Sequence, residues 1–283
     1  MSEVKGERLA RLIANRGLAS RREAEGWIEA GRVMVNGEAV YHPGTKVDPE
    51  VDHIKVDGKA LPIAPRSVYY LMYKPRGVIT SRRDPQGRKG VHELLDDVHE
   101  RVEPVGRLDV NTEGALLLTN DGALAHKLTH PKSGIPKRYL VKVWKAPNAR
   151  TLSLIERGKI FLEDGPTRPC KVRILDTTDT GNTWIEITVT EGRNRLIRRM
   201  FAAIGHPVSK LRRESFATLS LRGMERGDVR QLSHEEIRRI KDIGDGKKPQ
   251  NAGRKKGKGF AKAKPKKRRG GRSNVDRKRR PVK

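Results

Sequence analysis

The sequence predicts an α+β protein made of a small N-terminal module, a short linker, a larger mixed domain and a basic C-terminal tail without fixed structure. Three observations predict it. Residues 6–62 carry helix caps followed by paired turn signals, and residues 68–242 alternate short apolar strand-like runs with helical stretches. Residues 243–283 are dominated by Lys, Arg, Gly and Pro. A chain of 283 residues can bury a substantial core, as one large domain or two smaller ones.

In the first module Leu9, Leu12 and Ile13 fall at helical spacing, and Gly17 stops the helix. Ser20 and Glu23 form an S-x-x-E capping box that opens a second helix with Ala24, Trp27 and Ile28 on one face; Gly31 ends it. Val33 and Val35 lead into Asn36-Gly37, and Ile54 and Val56 into Asp57-Gly58, dipeptides that supply the positive φ angles of a tight hairpin. Two helices packed on a small sheet follow. The segment LPIAPRS, 61–67, has two prolines, and residues 63–67 within it read as a linker. Beyond it, VYYLMYKP is strand-like, RGVITSRRDPQGRKG a basic loop and VHELLDDV a short helix. The runs ALLLT, RYLVKV, CKVRIL and TWIEITVT read as strands, and GALAHKLTH and NRLIRRMFAAIG as helices. This pattern does not order the strands, and it contains no long internal repeat.

A formal net charge of +28 points to a polyanionic partner. Nucleic acid is the first candidate. An anionic membrane is a weaker one, since no apolar run approaches the roughly 20 residues that span a bilayer. The opening MSEVKGERLA also lacks a signal-peptide core, so a cytoplasmic protein is expected. Residues 247–283 hold 18 Lys or Arg and one Asp, a local +17 that leaves +11 for the rest. With one aromatic, Phe260, that tail cannot offset its chain entropy; disorder and nonspecific attraction to RNA are expected. Cys170, the only cysteine, excludes an intramolecular disulfide and a paired-cysteine zinc site.

Several chemistries have no motif here. There is no G-x-x-x-x-G-K-[ST] loop, no G-x-G-x-x-G after a strand and no H-E-x-x-H. His126 and His130 share an i, i+4 spacing without a third ligand nearby, and they read as structural. Three stretches remain: GRLD at 106–109, KRYLVKV at 137–143 and EGRNRLIRRM at 191–200. Taken singly, each has an ordinary explanation. Asp109 can cap a turn, Tyr139 can be a half-buried strand residue, and the arginines can solvate a helix face.

The stretch LIANRGLASRREAEGWIEAGRVMVNGEAV resembles the S4 RNA-binding module over residues 6–62. That resemblance implies docking on structured RNA by shape and backbone contacts through Arg16, Arg21, Arg22 and Arg32. The remaining motifs, GRLDVNTEGALLLTNDG, K-R-Y and EGRNRLIRRM, together with YKPRGVITS, closely resemble the ribosomal pseudouridine synthases of the RsuA/RluB type. The likeness covers residues 6 to about 242; one departure is Ala115, where that family usually has Leu.

The family resemblance implies a mainly antiparallel sheet and a catalytic domain over residues 68–242, which turns uridine into pseudouridine without a metal or cofactor. Asp109 would be the catalytic carboxylate, either a nucleophile or a base acting on the sugar, with Arg198 beside it keeping the acid charged. Tyr139 would lie against the uracil and Ile197 on its other side. Arg107 would fill the stack vacated by the flipped nucleotide, and Lys74, Arg193 and Arg195 would contact phosphates. Within the family GRLDVNT, LEDGP and EGRNR look most like the large-subunit enzymes, which implies 23S ribosomal RNA as partner and a monomeric enzyme. The small-subunit, 16S enzymes are the rival. A noncatalytic S4-containing assembly protein is the alternative of another class, and it would have no use for the Asp109, Tyr139 and Arg198 set.

Overall fold

The computed structural model describes residues 6–81 and 84–247. The expected disordered tail lies outside them from residue 248 onward, as do Arg82 and Arg83 of the basic loop.

The N-terminal module holds β1 (Glu7–Arg8), α1 (Leu9–Asn15), α2 (Arg21–Glu29), β2 (Val33–Val35), β3 (Glu38–Val40), β4 (Lys46–Val47), β5 (Ile54–Val56) and β6 (Lys59–Ala60). Both halves of the capping box form at the start of α2: Ser20 Oγ accepts the Glu23 N–H, and the Glu23 carboxylate accepts the Ser20 N–H. Asn36 and Gly37 turn between β2 and β3 with φ of 52° and 91°, and Asp57 and Gly58 turn between β5 and β6 with 49° and 77°. The four strands lie in the order β3-β2-β5-β6, and β1 pairs with β4. Leu9, Ile13, Ala24, Ile28 and Val33 are fully buried between helices and sheet.

The larger part contains β7 (Tyr69–Lys74), β8 (Glu103–Pro104), β9 (Glu113–Thr119), α3 (Gly122–Thr129), β10 (Lys137–Val143), α4 (Ala149–Glu156), β11 (Phe161–Leu162), β12 (Gly165–Pro166), β13 (Lys171–Thr177), β14 (Thr183–Val189), α5 (Leu196–Ala203), β15 (Val208–Phe216), β16 (Leu219–Ser220), β17 (Val229–Gln231) and α6 (His234–Gly244). Its main sheet runs β13-β14-β10-β15-β9-β7-β17, with β16 beside β15 and β8 beside β9. Among these pairings only β9 and β15 run parallel, so the sheet is mainly antiparallel. The crossing depends on Gly114. Its φ is +126°, and a Cβ there would stand 2.3 Å from the Arg213 carbonyl oxygen, so the two backbones meet only without a side chain.

Strand β9 reads as a continuous apolar run because both of its faces are covered. Ala115 and Leu117 join Tyr69, Leu71 and Tyr73 beneath α3 and α6, whereas Leu116 and Leu118 join Met72, Val102 and Leu108 on the other face. A neighbouring core packs Val141, Ile185 and Ile187 against Met200 and Phe201 of α5 and Ile155 of α4.

Two local expectations are corrected. VHELLDDV forms only a 3₁₀ turn, Val91–Leu94, although Leu94, Leu95 and Val98 pack against the same core as buried Val91. The boundary placed at 242/243 falls inside α6, which continues through Gly244: Ile243 packs on the core and Asp245 accepts from Lys127 at 2.7 Å. Residues 243–247 are therefore ordered.

Candidate active site

The GRLD motif lies in the loop between β8 and β9, and its main chain is held from several sides. Thr80 Oγ1 donates to the Leu108 carbonyl at 2.7 Å, and the Thr112 N–H to that of Asp109 at 2.9 Å. The Gly77 N–H donates to Val110 O at 2.8 Å, Arg198 Nη2 to Asn111 O at 3.0 Å and Lys74 Nζ to Thr112 O at 2.9 Å. Each carbonyl from Leu108 to Thr112 thus has a donor, and the loop cannot drift. The Asp109 side chain, 33% exposed, borders a cleft with Arg198 Nε 4.0 Å from its Oδ2.

Arg198 belongs to α5, whose apolar face carries Ile197, Met200 and Phe201 into the core and so fixes where the guanidinium stands. A second donor, Nη1, reaches Val208 O at 3.3 Å. Burial lowers the Arg198 pKa and the Asp109 charge opposes that; an arginine stays charged regardless.

The cleft measures about 180 Å³ and is lined by the Asp109 loop, β10, the end of β14, the start of α5 and β15. Cofactor and drug pockets usually run to roughly 300–1,000 Å³, so this space suits a single flat ring better than a dinucleotide. Tyr139 of β10 lies on its wall, opposite Ile187 on one side and Arg213 on the other. Ile197, 4% exposed, lines it from the first turn of α5. Arg107 and Arg195 are exposed at its rim with no side-chain hydrogen bond or ion pair among the described residues, and Arg195 sits at φ 47° just before α5.

Three of the residues expected to meet phosphate are placed otherwise. Lys74 is fully buried, donating to Pro75 O and Thr112 O at 2.9 Å each. Burial pushes its ammonium down to about 8 against the opposing pull of Asp109; Lys74 supports the Asp109 loop from inside and does not face solvent. Arg193 spends its donors on the β11–β12 hairpin: Asp164 Oδ1 at 2.9 Å, Gly165 O at 3.0 Å and Pro166 O at 3.1 Å. In the N-terminal module Arg32 makes a two-pronged pair with Asp57 at 2.9 and 2.6 Å and stacks over Trp27, so its charge is already matched. Arg21 and Arg22 stay exposed at the start of α2, their side chains unpaired among the described residues, and the Arg16 side chain donates to Pro62 O at 3.0 Å.

His130 Nδ1 accepts the Lys132 N–H, a capping role, and its ring centroid lies 5.6 Å from that of His126. Among the described residues no cluster of His, Cys, Asp or Glu is arranged to hold a metal. Burial raises the Cys170 thiol to about 12, which leaves it inert. No helix among the described residues is long and apolar enough to cross a membrane.

Sequence reasoning missed four contributors: Gly77 and Thr80, which hold the Asp109 loop, and Lys137 and Arg213, which line the cleft. Lys137 had a signal, standing two residues before Tyr139 on one strand. Arg213 had none, because its position follows from the β9–β15 crossing.

A guanidinium-paired carboxylate on a clamped loop, beside an aromatic wall in a ring-sized cleft, defines an enzyme that works on a nucleobase and its sugar. The chain belongs to the RNA pseudouridylate synthase family: residues 68–203 match that family and residues 7–53 match the S4 domain. It is an isomerase that forms pseudouridine in RNA. A ribosomal large subunit pseudouridine synthase B of Bacillus subtilis is 47% identical over 240 residues, covering 84% of this chain and 97% of that one. An RNA pseudouridine synthase of Aquifex aeolicus is 44% identical over 235 residues, covering 82% and 93%. A crystal structure of a pseudouridylate synthase superposes with a TM-score of 0.60 at 30% identity, covering 82% of this chain and 99% of that one.

Proposed function

We propose that this protein isomerises one uridine in a stem-loop of 23S ribosomal RNA, with Asp109 acting at the ribose of a nucleotide flipped out of its stem. The observation that carries the reading is the Asp109–Arg198 pair at 4.0 Å on the edge of the cleft. Flipping costs a few kcal/mol, and Arg107 occupies the vacated stack, a role its exposure supports. Tyr139 and Ile197 hold the uracil between them, and Arg195 meets a flanking phosphate. Residues 6–62 dock on folded RNA through Arg21 and Arg22 with Arg16 beside them, and residues 68–242 carry the chemistry.

In the reaction the bond from C1′ to N1 breaks, the base turns, C5 bonds to C1′, the C5 proton leaves and N1 takes one up. Atoms and electrons balance within one nucleotide. What the enzyme must supply is a charge at the sugar and a grip on the detached base. A carboxylate provides the first as nucleophile or as base, and in both cases Arg198 aims it. The identity to the Bacillus relative supports the large subunit as target. A monomer is expected, and ribosomal RNA as substrate supports a cytoplasmic location.

The test is to map pseudouridines in ribosomal RNA from cells with and without the gene. Loss of a single 23S site is expected. Loss in 16S RNA instead would move the target to the small subunit, and an unchanged map would reject the function.

A further inference from the structure

One end of the cleft carries positive charge that the roles above do not use. Lys137 and Arg213 both line it, on adjacent strands that place Arg213 opposite Tyr139 and Lys137 two residues before Tyr139. Arg213 is 2% exposed; its Nε donates to Ala115 O at 2.7 Å, and its Nη2 is buried without an acceptor. Lys137 Nζ donates to Ile135 O at 3.1 Å, a local bond that its flexible stem can exchange. The carboxylate acting on Lys137 is Glu191. That acid is already committed, with Oε1 accepting the Arg168 N–H at 2.9 Å and Oε2 lying 3.0 Å from Arg193 Nε. Buried Arg213 and half-buried Lys137 therefore share this lining with Glu191, whose carboxylate is divided between the Arg168 N–H and Arg193, an arrangement that leaves room for an anionic or carbonyl-bearing guest.

We propose that the Lys137 ammonium, backed by the fixed guanidinium of Arg213, donates to a carbonyl oxygen of the uracil and takes up the charge of the base as it detaches. When C1′–N1 breaks, its electron pair stays on N1 and the uracil becomes an anion whose charge is shared with O2 and O4. A cation at either oxygen lowers the barrier to detachment and holds the base while C5 turns toward C1′. C5 then bonds to C1′, the C5 proton is released, and N1 is reprotonated. The same contact favours uracil over cytosine wherever it falls on O4, because cytosine carries an amino donor there. Burial and the neighbouring Arg213 charge, which push the Lys137 ammonium down to about 8, agree with a cation still lacking its partner. The assignment rests on the uridine-isomerising function above and adds the group that grips the base.

The test uses the full-length protein and synthetic stem-loops around the mapped uridine, with that uridine carrying oxygen, 2-thio or 4-thio. Sulfur accepts hydrogen bonds poorly. Single-turnover formation of the C-nucleoside is read by chromatography of digested RNA for wild type, Lys137→Met and Lys137→Gln, with thermal midpoints and RNA affinity alongside. Wild type is expected to slow about tenfold on one of the two thio RNAs. Both folded variants should be about tenfold to a hundredfold slower on uridine with unchanged RNA affinity, and lose nothing further on that thio RNA. Equal fractional losses in wild type and variants on both thio RNAs, or variants at the wild-type rate, would overturn the Lys137 assignment. Wild type that makes no pseudouridine in any stem-loop would overturn the underlying function instead.

Discussion

Asp109→Asn separates charge from shape at the centre of the site. Positive charge develops on ribose C1′ as the base leaves, and a carboxylate acting there comes at least as near to it as it stands to Arg198 Nε, 4.0 Å. At an effective dielectric of about 20, two charges at that distance attract by about 4 kcal/mol, which is roughly a thousandfold in rate. Water reaching a carboxylate that is 33% exposed trims the figure, and a loss of at least about a hundredfold is expected. The fold should survive: Arg198 keeps Asn111 O and Val208 O, and the loop keeps its main-chain donors, so stability should fall by less than about 2 kcal/mol. The assay is single-turnover pseudouridine formation, paired with a thermal melt and an RNA-binding titration. A variant that folds, binds RNA and turns over within tenfold of wild type refutes the role of the charge.

Further outcomes follow from other contacts. Tyr139→Ala should weaken capture of the flipped base by about 1–3 kcal/mol, measured as RNA affinity, whereas Tyr139→Phe should keep affinity and lower only the rate; an unchanged rate in Tyr139→Phe would reduce Tyr139 to a stacking surface. Gly114→Ala places a methyl 2.3 Å from Arg213 O at φ +126°, and a melt should show a loss above about 3 kcal/mol or no folded protein. Removing residues 248–283 should flatten the dependence of log K on log salt, since each phosphate contact contributes about −0.7 to −0.9 to the slope. Glu236 is held down to about 2 by the two-pronged Arg230 pair. Its folded pKa lies below the unfolded one near 4.5, so its contribution is complete above pH 4.5 and lost between 4.5 and 2. Wild type should therefore lose most of its stability advantage over Glu236→Gln across that interval, and an advantage undiminished at pH 2 would contradict the pairing.

What the sequence made legible was local chemistry. The Ser20–Glu23 capping box, the Asn36-Gly37 and Asp57-Gly58 turns and the apolar face of α5 depend on neighbours a few residues away, and they form as read. Asp109 and Arg198 were legible through their motifs, and the fold brings Arg198 Nε to 4.0 Å from Asp109 Oδ2. The misplaced arginines fail for one reason. Whether an arginine is free depends on which acid stands opposite, and Asp57 is 25 residues from Arg32 while Asp164 is 29 from Arg193. Lys74 follows the same logic in reverse: a lysine beside a proline reads as surface, yet β7 lies inside the sheet and its last side chain ends beneath Thr112.

The donors that grip the Asp109 loop come from β7, from the turn after it and from α5, segments up to 124 positions apart in the chain between Lys74 and Arg198. An intermediate in which α5 has not docked beside β7 lacks one of these donors, so Asp109 is not fully held in place on a half-made molecule. On refolding from denaturant, recovery of turnover should keep time with the slowest global phase and never run ahead of it. Ribosomal RNA would then meet this enzyme in only two forms, inert or complete.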